Sequence, residues 1–310
     1  MIRTEKDAFE VSVEVEDSVT ESIRIQYNRK KQKAVQVNGL YIRKLGHLMG
    51  SLPSVLFSPQ NMLLLSAGPG ERRKFIDIAL CQLKPAYYFD LQQYNKIILQ
   101  KNTLLREYDK KQNIDDLLDV WNLSLSEYGA KIIKERVDFL KKITDYAAER
   151  HYEIAGGTEK ISLHYISSVS GEIDGKEEEI QSLFYSTLKD AMRREKDRCT
   201  SLIGPHRDDL DVKLNGVYDI KKYGSQGQKR TCVLALKLAE MEILKTTTGK
   251  TPILLLDDVM SELDIDRQNL LLENINDAQT FITCTDINKL KNVSNSLIKF
   301  FNIQNGNIIK

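Results

Sequence analysis

The sequence predicts an α/β fold interrupted by a largely helical insertion. Three observations carry this. From residue 224 onward helix-like and strand-like stretches alternate, the texture of α/β proteins. "TPILLLDDVMSELD", residues 251–264, holds four consecutive apolar residues, Ile253 to Leu256, a pattern that reads as a buried central strand. Between 85 and 150 strand signals stop and helical spacing takes over.

Taken in order, residues 8–42 read as an antiparallel meander. Phe9, Val11, Val13 and Val15 alternate with Glu10, Ser12, Glu14 and Glu16, the period of a half-buried strand. Ile23, Ile25 and Tyr27 repeat the period, and Val35 and Val37 lead into Asn38-Gly39, a hairpin signal. Leu91, Tyr94, Ile98 and Leu105 fall on one helix face, and Leu125, Tyr128, Ile132, Phe139 and Ile143 on a second. The polar "KKQN" at 110–113 separates them, giving a long helical hairpin. "EKISLHYI", 159–166, reads as a strand, "GEIDGKEEE" as a solvated loop, 178–197 as a helix, and Asn215-Gly216 as another hairpin turn. In "KKYGSQGQKRTCVLALKLAE", 221–240, a loop loosened by Gly224 and Gly227 becomes a helix that Ser225 can cap. Free N–H groups there converge on one point, and an anion belongs at it. The expected division is a discontinuous head, 1–84 plus 198–310, with an inserted, mainly helical arm at 85–197.

Composition is that of an ordinary globular chain: 310 residues, 41% hydrophobic, 29% charged, net charge +1. Bulk charge therefore does not drive nucleic-acid binding, and such a site must be a local patch. Cys81, Cys199, Cys232 and Cys284 form no C-x-x-C pair, which disfavours a metal site or a disulfide framework and fits a reducing cytoplasm. The start "MIRTEKDAFE" has no apolar signal core, and "ILLL" is too short to span a membrane.

Asp257 and Asp258 end the apolar run. Two adjacent carboxylates at the carboxyl end of such a strand are costly unless they hold a cation or poise a water, and ligands in open α/β sheets sit at that end. In this Walker B pattern the first Asp orders Mg2+ and the second acid polarises an attacking water. Alone, the pattern equally suits a strand ending in a solvated turn. Ser261-Glu262-Leu263-Asp264 follows at once, and "TFITCTD", 280–286, reads as another buried strand ending at Thr285-Asp286.

The order of glycine loop and helix, strand with Asp-Asp, S-x-L-D, and strand with polar end resembles ATP-binding-cassette ATPases of the SMC type. The resemblance implies a mixed-sheet ATPase head. It makes Ser225, Gln226, Gly227 and Gln228 the signature loop, acting in trans on the γ-phosphate of ATP held by a second subunit. It makes Asp257 the Mg2+ residue, Asp258 the catalytic acid, Ser261, Glu262, Leu263 and Asp264 the D-loop, and Thr285 the switch. "FSPQNMLLLSAGPGERRKFID", 57–77, and "TSLIGPHRDDL", 200–210, narrow the resemblance to the RecF family of bacterial recombination and repair ATPases; with "SQGQKRT" and "ILLLDDVMSELD" four motifs stand in the family's order. Gln60 then matches the Q-loop residue that meets Mg2+ and water, against the plainer reading of a surface amide. The family implies ATP and Mg2+ as cofactors, an ATP-dependent homodimer, and gapped or junction DNA, including single-stranded DNA, as the target. It further implies RecO and RecR as partners, and roles in replication, recombination, repair and the SOS response in the cytoplasm. Asp258, one methylene shorter than the glutamate usual in cassette ATPases, implies slow hydrolysis.

Arg72, Arg73 and Lys74 follow the Pro69-Gly70 break into a helix; cations at that positive end need anions, either DNA phosphate or salt-bridge partners. Arg193, Arg194 and Arg198 are a second candidate DNA contact, or a solvated helix end. For His206 and Arg207 no nucleophile elbow accompanies "GPHRDD", and Arg207 reads as structural or phosphate-facing, with both readings open.

The family pattern G-x-x-x-x-G-K-[ST] is not met. Gly249-Lys250-Thr251 has the ending, but the earlier glycine position is Leu244, and Gly175-Lys176 is followed by Glu177. "MIRTEKDAF" resembles the family's segment just after its first helix. The expectation is a chain beginning late, short by roughly 30 or more residues of strand, loop and helix. ATP binding by the chain as it stands is thereby put in question. Two other readings compete: a scaffold that binds DNA or partners without turnover, and a metal-dependent nuclease on Asp257 and Asp258. The nuclease is disfavoured because no further carboxylates or histidines cluster at a spacing that suits two metals.

Overall fold

The computed structural model describes residues 2–16, 20–30, 32–42, 45–108, 114–261, 263–275, 278–285 and 298–309. The N-terminal alternation forms the expected meander. β1 (Ala8–Glu16), β2 (Thr20–Asn28), β3 (Lys33–Val37) and β4 (Leu40–Tyr41) lie side by side in that order, with Ala8 opposite Asn28 and Glu16 opposite Thr20. Asn38 and Gly39 take φ of +51° and +78°, the paired left-handed geometry of a tight hairpin. Ile23 and Val35 are buried, whereas Val11 and Val13 on the outer strand are exposed.

β5 (Ser54–Phe57) leads through a 3-10 turn, Pro59–Met62, and a single helical turn, α1 (Leu63–Ser66), into α2 (Pro69–Leu83). Pro69 opens α2 because its fixed φ suits the first turn and its missing N–H costs nothing there. α3 (Pro85–Arg106) and α4 (Ile114–Ile154) are the long helices read from the sequence; the linker expected at 110–113 lies outside the described residues. Leu125, Ile132, Phe139 and Ile143 are buried along α4 as their spacing requires. β6 (Ile161–Ile166) precedes α5 (Glu177–Asp197), whose first turn carries Glu177, Glu178 and Glu179, the charge that the helix dipole favours. β7 (Asp209–Leu214) and β8 (Tyr218–Asp219) turn at Asn215-Gly216, then α6 (Ile220–Tyr223) runs into α7 (Gln226–Thr248). β9 (Ile253–Asp257), α8 (Ile265–Asn274), β10 (Thr280–Thr283) and the hairpin of β11 (Asn302–Gln304) and β12 (Asn307–Ile309) complete the described chain. Gly249, of the "GKT" look-alike, has φ +69° and closes α7 as a left-handed cap. Among the described residues no helix is long and apolar enough to cross a membrane.

β10, β9 and β5 form a parallel sheet with β9 central. Val55, Phe57, Leu254 and Leu256 pack against Leu234, Leu238, Met241 and Leu244 of α7. The other face carries Leu56, Leu255 and Phe281, in register and 46, 38 and 54% exposed. The two stretches read as fully buried strands therefore alternate instead, because only the face toward α7 is covered among the described residues. The larger core joins Ile76, Tyr94, Ile132, Phe184, Leu210 and Leu236. β6 of the expected arm pairs with β7 of the expected head along Ile161–Leu214 to Ile166–Asp209. Packing thus runs without interruption across the division expected at residue 198.

Candidate functional site

Parallel register brings the sequence-read residues to one edge. Phe57 lies beside Leu256 and Thr283 beside Asp257, so all three strands end together. Gln60 is exposed in the turn after β5, Asp257 ends β9, and Asp258 follows it. This is the carboxyl edge where a ligand crevice forms in an open α/β sheet. Asp257 Oδ1 accepts a hydrogen bond from Thr283 Oγ1 at 2.8 Å, and the Asp258 N–H donates to the same hydroxyl at 3.1 Å. Thr283, rather than Thr285, is thus the β10 residue that touches the acidic pair. Thr285 lies two residues further on and is exposed. Nothing in the sequence marked Thr283, since its role depends on the pairing register. Asp258 has φ +52°, a left-handed conformation uncommon outside glycine and found at functional turns. It swings the chain out of β9 into the turn Val259–Ser261, which the buried Val259 and Met260 anchor.

In the stretch that the resemblance reads as a signature loop, Ser225 caps α7. Its Oγ accepts from the Gln228 N–H at 3.2 Å, and Gln228 Oε1 accepts from the Ser225 N–H at 2.8 Å, a reciprocal capping box. Gln228 Nε2 also donates to Glu159 Oε1 at 2.7 Å. Gln228 therefore shapes the loop with both ends of its amide. Ser225 and Gln226 are exposed, Gly227 is half-buried, and helix geometry leaves the first-turn N–H groups without intrahelical partners. In the stretch read as a D-loop, Asp264 caps α8 by accepting from the Arg267 N–H at 3.0 Å, and Leu263 packs on the smaller core. Ser261 ends the 3-10 turn, and Glu262 lies outside the described residues. Arg267, unmarked in the sequence, pairs with Asp264 and reaches Thr231 on α7.

The basic residues separate by environment. Arg72 is 3% exposed and meets a salt-bridge partner, so it does not face DNA: it donates to Asp209 Oδ1 at 2.6 Å and Oδ2 at 3.1 Å, and to the carbonyls of Leu64 and Ala67, both at 2.9 Å. The anion that this end of α2 needed is Asp209. Burial raises the Asp209 pKa, but the bonds from Arg72 and the Leu210 N–H outweigh it and hold the carboxyl below its usual value. Arg73 is half-buried and donates to the Asp208 carbonyl at 2.8 Å; burial, then Arg136, lowers its pKa. Lys74, Arg193, Arg194 and Arg198 are exposed.

"GPHRDD" is a hub of polar contacts that reaches α3, α4 and β6. Arg207 donates to the Ser201 carbonyl through Nε at 3.1 Å and Nη2 at 2.7 Å, which makes it structural, although its outer side is exposed. His206 Nδ1 meets Tyr94 Oη at 2.7 Å. Asp208 accepts from Tyr165 Oη at 2.6 Å and from Ser168 N and Oγ at 2.8 and 2.7 Å; burial still pushes its pKa up. Lys101 and Glu195, also unmarked in the sequence, pair at 2.5 Å with each side chain 1% exposed, and Glu195 Oε1 accepts from Ser201 Oγ and the Leu202 N–H.

No protein-family model matches the chain. The chain is 45% identical over 287 residues to the DNA replication and repair protein RecF of Acetivibrio thermocellus, covering 92% of this chain and 78% of that one. It is 42% identical over 304 residues to the protein of the same description from Ruminiclostridium cellulolyticum, covering 97% and 81%. A solved structure of the recombination mediator protein RecF with ATP, described as part of the RecFOR pathway, superposes with a TM-score of 0.85 at 36% identity, over 92% of this chain and 76% of that one. Four motifs in order, a mixed α/β fold that superposes on a RecF structure, and identity at this level over most of the sequence lead to one assignment: the chain belongs to the RecF family of DNA replication and repair proteins.

Proposed function

We propose that this chain is an ATP-dependent DNA-binding protein of recombinational repair. It acts at single-strand gaps and junctions, closes into a homodimer around ATP, and hydrolyses it slowly. The observation that carries this reading is the common edge of β5, β9 and β10, at which β9 ends in Asp257, Asp258 follows it, and Gln60 lies in the turn after β5. Mg2+ suits that donor set. The two carboxylates and the amide are exposed, and among the described residues no group of three or more His, Cys, Asp or Glu could form an all-protein cage. Mg2+ characteristically takes one or two carboxylates and completes its shell with phosphate and water. Asp257 would hold the ion with Gln60 beside it, and the ion when bound would offset phosphate charge. Asp258, short and in a left-handed turn, would orient the water less well than a longer acid, which accounts for slow turnover. Ser225 and the first-turn N–H groups of α7 would meet the γ-phosphate of a nucleotide on a second copy, with Asp264 and its neighbours at the same interface and Thr285 as an outer switch. The RecFOR description of the similar structure supports RecO and RecR as partners; action in the cytoplasm and in the SOS response follows from the same reading.

A second reading has its own observation. G-x-x-x-x-G-K-[ST] occurs nowhere in the 310 residues, which favours a scaffold that does not hold nucleotide itself. Titration of this chain with a fluorescent ATP analogue and Mg2+, beside Asp257→Asn, separates the two. The proposed function expects binding that weakens roughly tenfold or more in the variant, each tenfold being about 1.4 kcal/mol; no binding by either chain selects the scaffold. For the DNA surface, a gapped duplex titrated at several salt concentrations should show a steep salt slope. Combined Arg193→Ala, Arg194→Ala and Arg198→Ala should reduce its magnitude by about 0.9 for each phosphate that is no longer neutralised. An unchanged slope would remove that end of α5 from the surface and leave Arg73 and Lys74 as the candidates.

A further inference from the structure

We propose that Arg267 is a positioning residue that locks the D-loop onto the signature helix. Arg267 stands in the first turn of α8, beside that helix's positive end, where a cation is disfavoured. Its Nη2 also lies 3.8 Å from where a Cβ on Gly227 would sit, so it adjoins the positive end of α7 as well. A guanidinium held between two helix N-termini needs compensation. Asp264 supplies one part: its carboxylate accepts from the Arg267 N–H and pairs with the guanidinium. Thr231 supplies the other, its Oγ1 accepting from Nε at 2.9 Å and from Nη2 at 2.8 Å. Thr231 is 2% exposed, so these bonds are shielded from water. The planar fork is what lets one side chain grip a carboxylate and a hydroxyl together; a lysine offers a single point charge.

The consequence rests on the proposed function. Asp264 supplies the ion-pair half of the lock and the neutral Thr231 the hydrogen-bonded half. The guanidinium stands beside Gly227, where a partner's phosphate would come. The lock also presents D-loop and signature loop to that partner as one rigid surface.

The test is amide hydrogen exchange on the nucleotide-free chain, comparing wild type, Arg267→Ala, Arg267→Lys and Thr231→Val. The lock predicts that Arg267→Ala and Thr231→Val each accelerate exchange in both 225–231 and 263–268, by about tenfold as expected for losing a charge-assisted bond, with Arg267→Lys failing to rescue. Acceleration confined to 263–268, with 225–231 unchanged, would overturn it and leave Arg267 a local cap of α8. If Arg267→Ala does not fold, Thr231→Val, which removes one hydroxyl, decides by the same criterion. Sedimentation of wild type with ATP and Mg2+ is the separate arm: absence of a dimer there counts against the proposed function and leaves the exchange result to decide the lock.

Discussion

Arg136→Met is expected to lower unfolding free energy by about 3–5 kcal/mol, the usual effect of removing one member of a buried ion pair. The side chain is 2% exposed. Its Nη2 donates to Asp77 Oδ1 and Oδ2 at 2.9 and 3.1 Å, and its Nη1 to the Pro205 carbonyl at 2.7 Å. Nε reaches Tyr87 Oη at 3.1 Å, and that hydroxyl donates to Asp77 Oδ1 at 2.5 Å. The residue thus pins α4 to α2 and to the "GPHRDD" loop at once. Without it Asp77, whose side chain is only 19% exposed, keeps a charge with one neutral donor, and a buried carbonyl loses its partner. Arg136→Lys should recover little, because one ammonium cannot reach three sites. Adding Asp77→Leu to Arg136→Met should restore part of the loss, since the stranded charge goes with it. Urea unfolding at neutral pH checks this. A loss below about 1 kcal/mol would mean that water reaches Asp77 freely, as at a surface pair.

The second large effect is on pH dependence. Burial, with Arg207, Lys101 and Arg73 nearby, pushes the His206 pKa from 6.5 down to about 4, only partly opposed by the Ser201 carbonyl. The contacts agree: Nδ1 can accept from Tyr94 Oη at 2.7 Å while Nε2–H faces the Ser201 carbonyl at 3.4 Å, the arrangement of a neutral ring. Between pH 6.5 and 4 the unfolded chain binds a proton that the native chain refuses. Stability must therefore fall as pH drops through that window and level off below it. The full shift corresponds to about 3 kcal/mol at most. In His206→Gln this component should vanish, so the loss between pH 7 and pH 4.5 should be smaller than in wild type. Equal losses in both chains would show that the ring is protonated in place.

The sequence by itself carried the family, because its motifs are contiguous. Ser225 to Gln228, Asp257 with Asp258, and Ser261 to Asp264 each lie within one turn or strand end, where a motif is legible from residue type and local order alone. Helical periodicity and the Asn-Gly turns likewise drew α4 and the β3–β4 hairpin, since those signals are local. Tertiary structure decided everything that depended on pairing residues far apart. Register made Thr283 the contact of Asp257. Packing decided between the two anions open to Arg72, phosphate or a salt-bridge partner, by bringing it Asp209 from 137 residues away, because a cation at a helix N-terminus takes whichever anion the fold brings to it. Leu255 and Phe281 look interior from composition alone, but a parallel sheet buries both faces only when something covers each, and coverage is a property of the assembled layers. Thr231 with Arg267 and Lys101 with Glu195 had no signature at all, since a lone hydroxyl or charge acquires its role only when another helix arrives beside it.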